Sequence, residues 1–361
     1  MTSKEDHVAD LQLDPNEASG LQRVSSPELL ERYGWNLGLW SVLDEVDASE
    51  CIVLLGHKMG APMHEGWSSR RLRAERVGHD GPVQDAEAVA DWDGWVYVFG
   101  SHHGHKAGPI RRKVQWVARF QEAAVTGGVE DEPTVPLTVV HTDLQVHRLL
   151  NDALLASDLD LTPMTDAMNT EFIDATIAKL EGTSAQGRVR PGDWTVNIEG
   201  ADFTDDGALL LGLRFPIGAD GAPLIVQLSD WDGLFEDPLR LPTVDTIWQV
   251  DAIGRNGSLA GVRDLCTVGD ALHVVTGDLD SAGKGSIIRK EYSGGAETVS
   301  THFRTQLSGT NGGRVEATFV REFADNPRIE GVAADEDGRF FYVSDEDDSV
   351  SLRSTPLLTE Q

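Results

Sequence analysis

The feature that most constrains the fold is a phrase that recurs along the chain. Each copy has an acidic residue, two or three small or apolar residues, a turn rich in Asp and Gly, and then a hydrophobic run. Three copies end fourteen residues after the acid: EAVADWDGWVYVFGS from Glu87, EGADFTDDGALLLGL from Glu199 and EGVAADEDGRFFYVS from Glu330. A fourth copy, DLCTVGDALHVVTGD from Asp264, is one residue shorter through its turn. Repetition on this scale indicates several copies of one structural unit, with a carboxylate at the same point of each.

Short segments rich in β-forming residues predict antiparallel strands around these phrases. Three of them are Ala208–Arg214, Ala271–Gly277 and Arg339–Asp345, each preceded by Gly or Asp. Copies of a few-strand antiparallel unit about 65 residues apart are typical of β-propeller blades. The sequence therefore predicts an all-β fold, a β-propeller with six blades as the favoured count and five or seven as alternatives. A β-sandwich does not explain the recurring phrase.

One stretch, 147–182, departs from the strand pattern. Its spacing predicts helices, and Gly182 is a natural helix stop. One apolar helical face would consist of Phe172, Ile173, Ile177 and Leu180. We therefore expect a helical insertion at 147–182 within one propeller domain that spans 33–361. Residues 1–32 are polar and are expected to be poorly ordered.

The charge balance narrows the choice of partners. The chain has 60 Asp and Glu against 30 Lys and Arg, a net charge of −30, which disfavours nucleic acid and anionic membrane surfaces. Acidity favours a cationic partner such as a metal ion, although an acidic or salt-adapted proteome would give the same balance. Cys51 and Cys266 cannot build a disulfide framework, and no stretch approaches the length of a membrane span. We expect a soluble cytoplasmic protein that binds a small molecule or a protein partner.

The repeated acids indicate a metal site. Equivalent positions of propeller blades meet around the central channel, so the four acids would face one mouth of it: Glu87, Glu199, Asp264 and Glu330. Carboxylates that lie so close need a cation, basic neighbours or protonation. Ligands that are all oxygen favour a divalent cation, with calcium ahead of magnesium and manganese. A bound ion would polarise a phosphoryl or ester oxygen and assist hydrolysis.

The same acids also have a structural interpretation. An acid at a strand start can accept hydrogen bonds from backbone amides, or can pair with Arg214, Arg263 or Arg328. The alternative function is then a non-enzymatic binding or scaffolding propeller. Its partner would dock on a face or on the helical insertion.

The residues at the phrase ends differ between copies, as expected of a binding surface on a repeated frame. A weak fifth copy, LLGHKMG, adds His57 to this group. The second group of candidates is His57, His102, Arg214, Asp278 and Asp345. In a hydrolase, Arg214 or Arg263 would hold the anionic group of the substrate and His102 would be the catalytic acid or base. The SHHGHK loop from Ser101 lacks the partner spacing that a zinc site needs.

The four phrases in this order resemble the bacterial proteins grouped as the domain of unknown function 3616 family. The shared elements are the acid-Gly opening, the GLR-P step at Gly212–Pro216 and the pair Arg263-Asp264, within roughly residues 40 to 350. Ala88 departs from the pattern, because the other two glutamate copies have Gly there. The resemblance implies a propeller and no particular activity. A more distant similarity, to esterase-like phytase propellers and calcium-dependent gluconolactonases, implies a cation-dependent hydrolase of a small phosphate ester or lactone.

Overall fold

The structure is a computed structural model that describes most of the chain. The described residues are 6–15, 17–78, 81–252, 258–280, 285–295, 298–307, 312–324, 328–346 and 349–356.

In chain order the strands are β1 (His7–Leu11), β2 (Ser19–Arg23), β3 (Trp35–Val42), β4 (Ile52–Lys58), β5 (Trp67–Arg71), β6 (Arg73–Gly78), β7 (Ala86–Trp92), β8 (Trp95–Gly100), β9 (Trp116–Gln121), β10 (Thr134–His141), β11 (Asn197–Phe203), β12 (Leu209–Phe215), β13 (Leu224–Ser229), β14 (Thr243–Asp251), β15 (Gly261–Val268), β16 (Ala271–Gly277), β17 (Thr301–Thr305), β18 (Gly313–Glu322), β19 (Ile329–Ala334), β20 (Arg339–Glu346) and β21 (Ser349–Pro356). The helices are α1 (Pro27–Tyr33), α2 (Gln145–Ala156), α3 (Asp166–Met168), α4 (Ala175–Leu180), α5 (Gly233–Glu236) and α6 (Ile287–Glu291), with a π-helical turn at Asn169–Asp174.

The strands form five antiparallel blades of four strands within the described part of the chain. Blades 1 to 4 are β2–β5, β7–β10, β11–β14 and β15–β18, and blade 5 consists of β19, β20, β21 and β1. The innermost strands β2, β7, β11, β15 and β19 contact one another in a closed ring. The β-propeller prediction is confirmed, with five blades, one of the alternatives to the favoured six. Glu87 and Glu199 are farther apart in sequence than the other repeated acids, because the segment between them contains the outer strands of blade 2 and helices α2 to α4. This segment contains no additional blade.

Two parallel pairings supplement the blades. Strand β6 adds to the outer edge of blade 2 by pairing with β10. Strands β14 and β18 also pair in parallel and join blades 3 and 4 into one eight-stranded sheet.

The N-terminal segment is part of the propeller. Residues 1–32 were expected to be poorly ordered; residues 1–5 and 16 lie outside the described part of the chain, but the remainder contains β1 and β2 and corrects the expectation there. Strand β1 pairs with β21 in blade 5, and β2 is the inner strand of blade 1. These strands form although their sequences are largely polar. Leu11 and Leu21, whose adjacent residues in the sequence are polar or glycine, are buried.

The helical insertion packs on one end of the propeller. Helices α2 to α4 follow β10 and precede β11, as predicted. Phe172, Ile173 and Leu180 share an apolar cluster with Phe215 of blade 3 and Ile288 of α6. The insertion and α6 thus cover loops that leave blades 2 to 4. Among the described residues, the helices are too short and too polar to span a membrane.

Candidate functional site

The repeated acid occupies a β-bulge on the inner strand of its blade. The pairing of β7 with β8 skips Glu87, and the corresponding bulges of β11 and β19 skip Glu199 and Glu330. In β15 the skipped residue is Arg263, because pairing resumes at Asp264. Arg263 is therefore the blade 4 equivalent of the three glutamates.

Asp264 is separated from the other acids by this one-residue offset. Successive side chains of a strand point to opposite faces, so the offset sends its carboxyl group away from the channel mouth. Its Oδ2 accepts hydrogen bonds from the backbone N–H groups of Leu21 (3.1 Å) and Val332 (2.7 Å). Burial raises the pKa of Asp264 well above its usual range. The structure corrects the predicted ring of four acids and gives Asp264 a structural position between inner strands.

Close contact between inner strands explains the acid-Gly opening. A Cβ atom on Gly200 would lie 2.9 Å from the Cα of Asp264, and one on Gly331 would lie 2.7 Å from the carbonyl carbon of Gly20. Both distances are shorter than side-chain contacts allow. Close packing therefore requires glycine after the acid in blades 3 and 5. Blade 2 has the next smallest residue, Ala88, at this position.

A cavity of about 980 Å³ lies at this mouth of the channel. It is lined by the equivalent side chains of blades 2 to 5 and by Ser19 of blade 1. Seven of the ten predicted site residues line it: Glu87, Glu199, Arg214, Arg263, Asp278, Glu330 and Asp345. The other three, His57, His102 and Asp264, are not among its lining residues.

The two predicted histidines have structural partners. His57 is buried on β4, and its ring nitrogens contact Asn36 Oδ1 (2.9 Å) and the carbonyl oxygen of Pro62 (3.1 Å). His102 has its Nδ1 2.8 Å from the carbonyl oxygen of Gly100, and burial lowers its pKa to about 4. Neither residue fits the predicted binding or catalytic role.

One half of the mouth, formed by blades 3 to 5, is an ion-pair network. Glu199 lies 3.0 Å from Arg214 Nη1 and 3.4 Å from Arg263 Nη1, and Arg263 also pairs with Glu330. Although burial opposes it, the charges of Arg214 and Arg263 lower the pKa of Glu199. We call this set the paired half; its members are Glu199, Arg214, Arg263 and Glu330.

The other half, formed by blades 1 and 2, has acids without ion-pair partners among the side chains that the structure describes. Burial and repulsion from Glu199, Asp85 and Asp44 raise the pKa of Glu87 well above its usual range. Burial raises the pKa of Asp85 to about 6, and burial with a hydrogen bond to Glu17 raises that of Asp44 to about 8. Within the described residues, no Lys or Arg forms an ion pair with Asp44, Asp85 or Glu87, which we call the unpaired half.

Sequence reasoning missed Asp44 and Asp85. Asp44 follows β3, where the phrase of blade 1 would end, but helix α1 lies between β2 and β3 and interrupts that copy. Asp85 lies two residues before Glu87, and its positive φ of 69° marks a special backbone position. The Asp-x-Glu spacing at 85–87 is the signal that could have drawn attention to it.

The unpaired half is not a preformed metal cage. Across the described ranges, no three His, Cys, Asp or Glu side chains converge as a metal-binding group. Any ion bound there would need water or the substrate to complete its coordination.

Five buried polar atoms of cavity-lining residues have no hydrogen-bond partner within the described chain: Nε2 of His103, Oδ1 of Asn197, Nη1 of Arg263, Oδ1 of Asp44 and Oε2 of Glu330. Glu330 forms an ion pair with Arg263, and Asp44 is only partly buried, so the argument for a ligand rests on His103, Asn197 and Arg263. All three residues are more than nine-tenths buried. Because buried polar groups are normally hydrogen-bonded, such a cluster points to bound water or a polar ligand in the cavity.

Comparisons with known proteins identify no family for this chain. No family model and no curated protein matches the chain, so the resemblance to the domain of unknown function 3616 proteins stays a prediction. Three similar solved structures are the soluble aldose sugar dehydrogenase of Escherichia coli in the apo-form (13% identity, 98% of this chain and 100% of that chain, TM-score 0.40), Pseudomonas fluorescens PhoX with vanadate (9%, 94% and 88%, 0.43) and Myxococcus xanthus glutaminyl cyclase (10%, 97% and 94%, 0.37). These scores give no basis for transferring a function, and the propeller assignment rests on the blade topology.

Proposed function

We propose that this protein is a divalent-cation-dependent hydrolase of a small phosphate ester or lactone, acting in the cavity at the channel mouth. The observation that carries the proposal is the set of buried polar atoms on His103, Asn197 and Arg263 that have no hydrogen-bond partner within the described chain, all on residues that line the cavity. A purely structural channel would be expected to satisfy these groups internally.

Arg263 is the better candidate for holding the anionic group of the substrate. Arg214 is engaged on both sides, because Nη1 contacts Glu199 and Nε donates to the carbonyl oxygen of Asp278 at 2.8 Å. Arg263 keeps Nη1 free of hydrogen bonds at an ion-pair distance of 3.4 Å from Glu199. A phosphoryl or developing carboxylate oxygen would satisfy that donor.

The cation would belong in the unpaired half, which contains Glu87 but none of the other three acids predicted from sequence. Glu199 and Glu330 pair with arginines, and Asp264 accepts backbone hydrogen bonds. Asp44, Asp85 and Glu87 offer only oxygen donors, and Oδ1 of Asp44 is buried without a hydrogen-bond partner. This donor set fits a hard divalent ion, with calcium first. When bound, the ion would polarise the phosphoryl or carbonyl oxygen under attack.

The test combines ion binding with turnover. Wild type, Glu87→Gln and the control Glu171→Gln, an exposed residue of the π-helical turn, are stripped with EDTA and given calcium, magnesium, manganese or zinc singly. We expect calcium to raise the Tm of wild type and control but not of Glu87→Gln. Hydrolysis of p-nitrophenyl phosphate and δ-gluconolactone should follow the same ion and the same variant.

The alternative, a binding or scaffolding propeller, has support from three of the four predicted acids, which are satisfied by arginines or backbone amides. No ion response together with no hydrolysis would favour it. An ion response that persists in Glu87→Gln would place the ion outside the unpaired half.

A further inference from the structure

We propose that His103, rather than its neighbour His102, is the residue that accepts and returns the proton during hydrolysis; this inference rests on the proposed function. His103 belongs to the segment that follows β8 and lines the cavity with a nearly buried ring.

The backbone turn at His102 decides which histidine faces the cavity. His102 has a φ of 61°, in the left-handed region. Its ring returns to the carbonyl oxygen of Gly100, while the next side chain, His103, joins the cavity wall. The reversal is not evident from the sequence, which led to the prediction of His102 as the acid or base.

The segment is held rigidly by its backbone. The N–H of Ser101 donates to the carbonyl oxygen of Asp85 (3.0 Å), and the N–H of His102 donates to that of Val114 (3.2 Å). The carbonyl oxygen of His103 accepts from the N–H of Arg111 at 3.4 Å. A group fixed in this way is preorganised for proton transfer, because its position does not depend on loop closure.

The ring of His103 is oriented by one hydrogen bond and one aromatic contact. Nδ1 lies 2.8 Å from Oγ1 of Thr195, which is fully buried. The ring lies 5.2 Å from that of Phe172, a residue of the helical insertion. Nε2 has no partner in the described chain, and in the tautomer whose Nδ1–H donates to Thr195 it keeps the lone pair that a base needs. Thr195 is therefore a positioning residue, and Nε2 is the nitrogen available to a substrate.

Charged groups of both signs face this ring. Burial lowers the pKa of His103, Asp280 opposes that effect, and Arg214 and Glu199 act in opposite directions. A lowered pKa keeps the imidazole neutral near pH 7, so that it can act as a base.

The proposed step is balanced without a further reactant. A water molecule gives one proton to Nε2 of His103 while its oxygen bonds to the lactone carbonyl carbon or to phosphorus. The carbon–oxygen or phosphorus–oxygen bond to the leaving group then breaks, and the leaving oxygen takes the proton from Nε2. The products are a hydroxy acid from a lactone, or an alcohol and phosphate from an ester.

The experiment compares His103→Gln and Thr195→Val with a control, His64→Gln, whose ring lies half-exposed in blade 1. General acid–base catalysis typically contributes about 100-fold or more, so His103→Gln should lower kcat by at least about that factor and abolish the acidic limb of the pH profile. Thr195→Val should lower kcat by about tenfold with KM nearly unchanged. His64→Gln should match wild type.

A second readout does not depend on turnover. In wild type, the imidazole NMR signal of His103 should shift when inorganic phosphate is added, and Thr195→Val should reduce that shift. Wild-type hydrolysis that continues in a folded His103→Gln with the same pH limb would overturn the role of His103 and leave the proposed function standing. If wild type hydrolyses neither substrate with any ion, the proposed function fails. The proton-transfer role then fails with it, whereas a phosphate-dependent shift would still support His103 as a ligand contact.

Discussion

The two halves of the channel mouth solve the same electrostatic problem in opposite ways. In the paired half, Glu199 and Glu330 form ion pairs with Arg214 and Arg263, and the pKa of Glu199 is lowered. In the unpaired half, Asp44, Asp85 and Glu87 form no ion pair with the Lys and Arg side chains that the structure describes, and their pKa values are raised. Glu87 and Glu199 thus occupy equivalent bulge positions, but only Glu199 forms ion pairs among the described residues. The contrast teaches that repetition of a residue does not imply repetition of its role.

The largest effect on stability is expected from replacing Arg263, one of the two arginines of the paired half. Arg263→Met should lower the free energy of unfolding by about 3–5 kcal/mol, because the buried Glu199 and the partly buried Glu330 each lose an ion pair. Urea denaturation measures the change. The double variant Arg263→Met/Glu199→Gln should recover part of the loss. A loss below about 1 kcal/mol for Arg263→Met alone would mean that the two halves do not differ as described.

A somewhat smaller effect on stability is expected at Asp264, the predicted acid that does not line the cavity. Asp264→Ala should destabilise the protein by about 2–4 kcal/mol, because the N–H groups of Leu21 and Val332 lose their buried acceptor. Asp264→Asn keeps an acceptor oxygen and should lose much less. Both variants should keep the calcium response of wild type, and its loss in Asp264→Asn would return this residue to the site.

The acids of the unpaired half should make the free energy of unfolding depend on pH. Between the unfolded pKa of Asp85, about 3.9, and its folded value of about 6, only the native state holds the proton, so stability falls as pH rises through this window. Asn at position 85 cannot titrate, so in Asp85→Asn the decrease in the free energy of unfolding over this pH range should be smaller by about 1–3 kcal/mol. Urea denaturation in EDTA at pH 4 to 7 tests this, with the exposed Asp337→Asn as control. A pH dependence of Asp85→Asn equal to that of wild type would contradict the raised pKa.

Much of the architecture could be predicted because a repeated phrase marks the inner hairpin of four blades. The hairpin of blade 1 escaped detection because α1 interrupts it, and this also hid Asp44. The role of Asp264 depended on a single bulge residue, and a one-residue offset reverses the face of a side chain. The choice between His102 and His103 depended on one positive φ value. Such local backbone features determine which side chains meet, and residue type alone does not reveal them.

The pairing of β1 with β21 has a consequence for how the protein is made. Strand β1 leaves the ribosome early, yet its partner is the last of the described strands to be synthesised. Until then blade 5 is incomplete and the edge of β1 is exposed to other chains. Completion of the blade that supplies Glu330 to the mouth therefore waits for β21, although its inner strand β19 is made earlier.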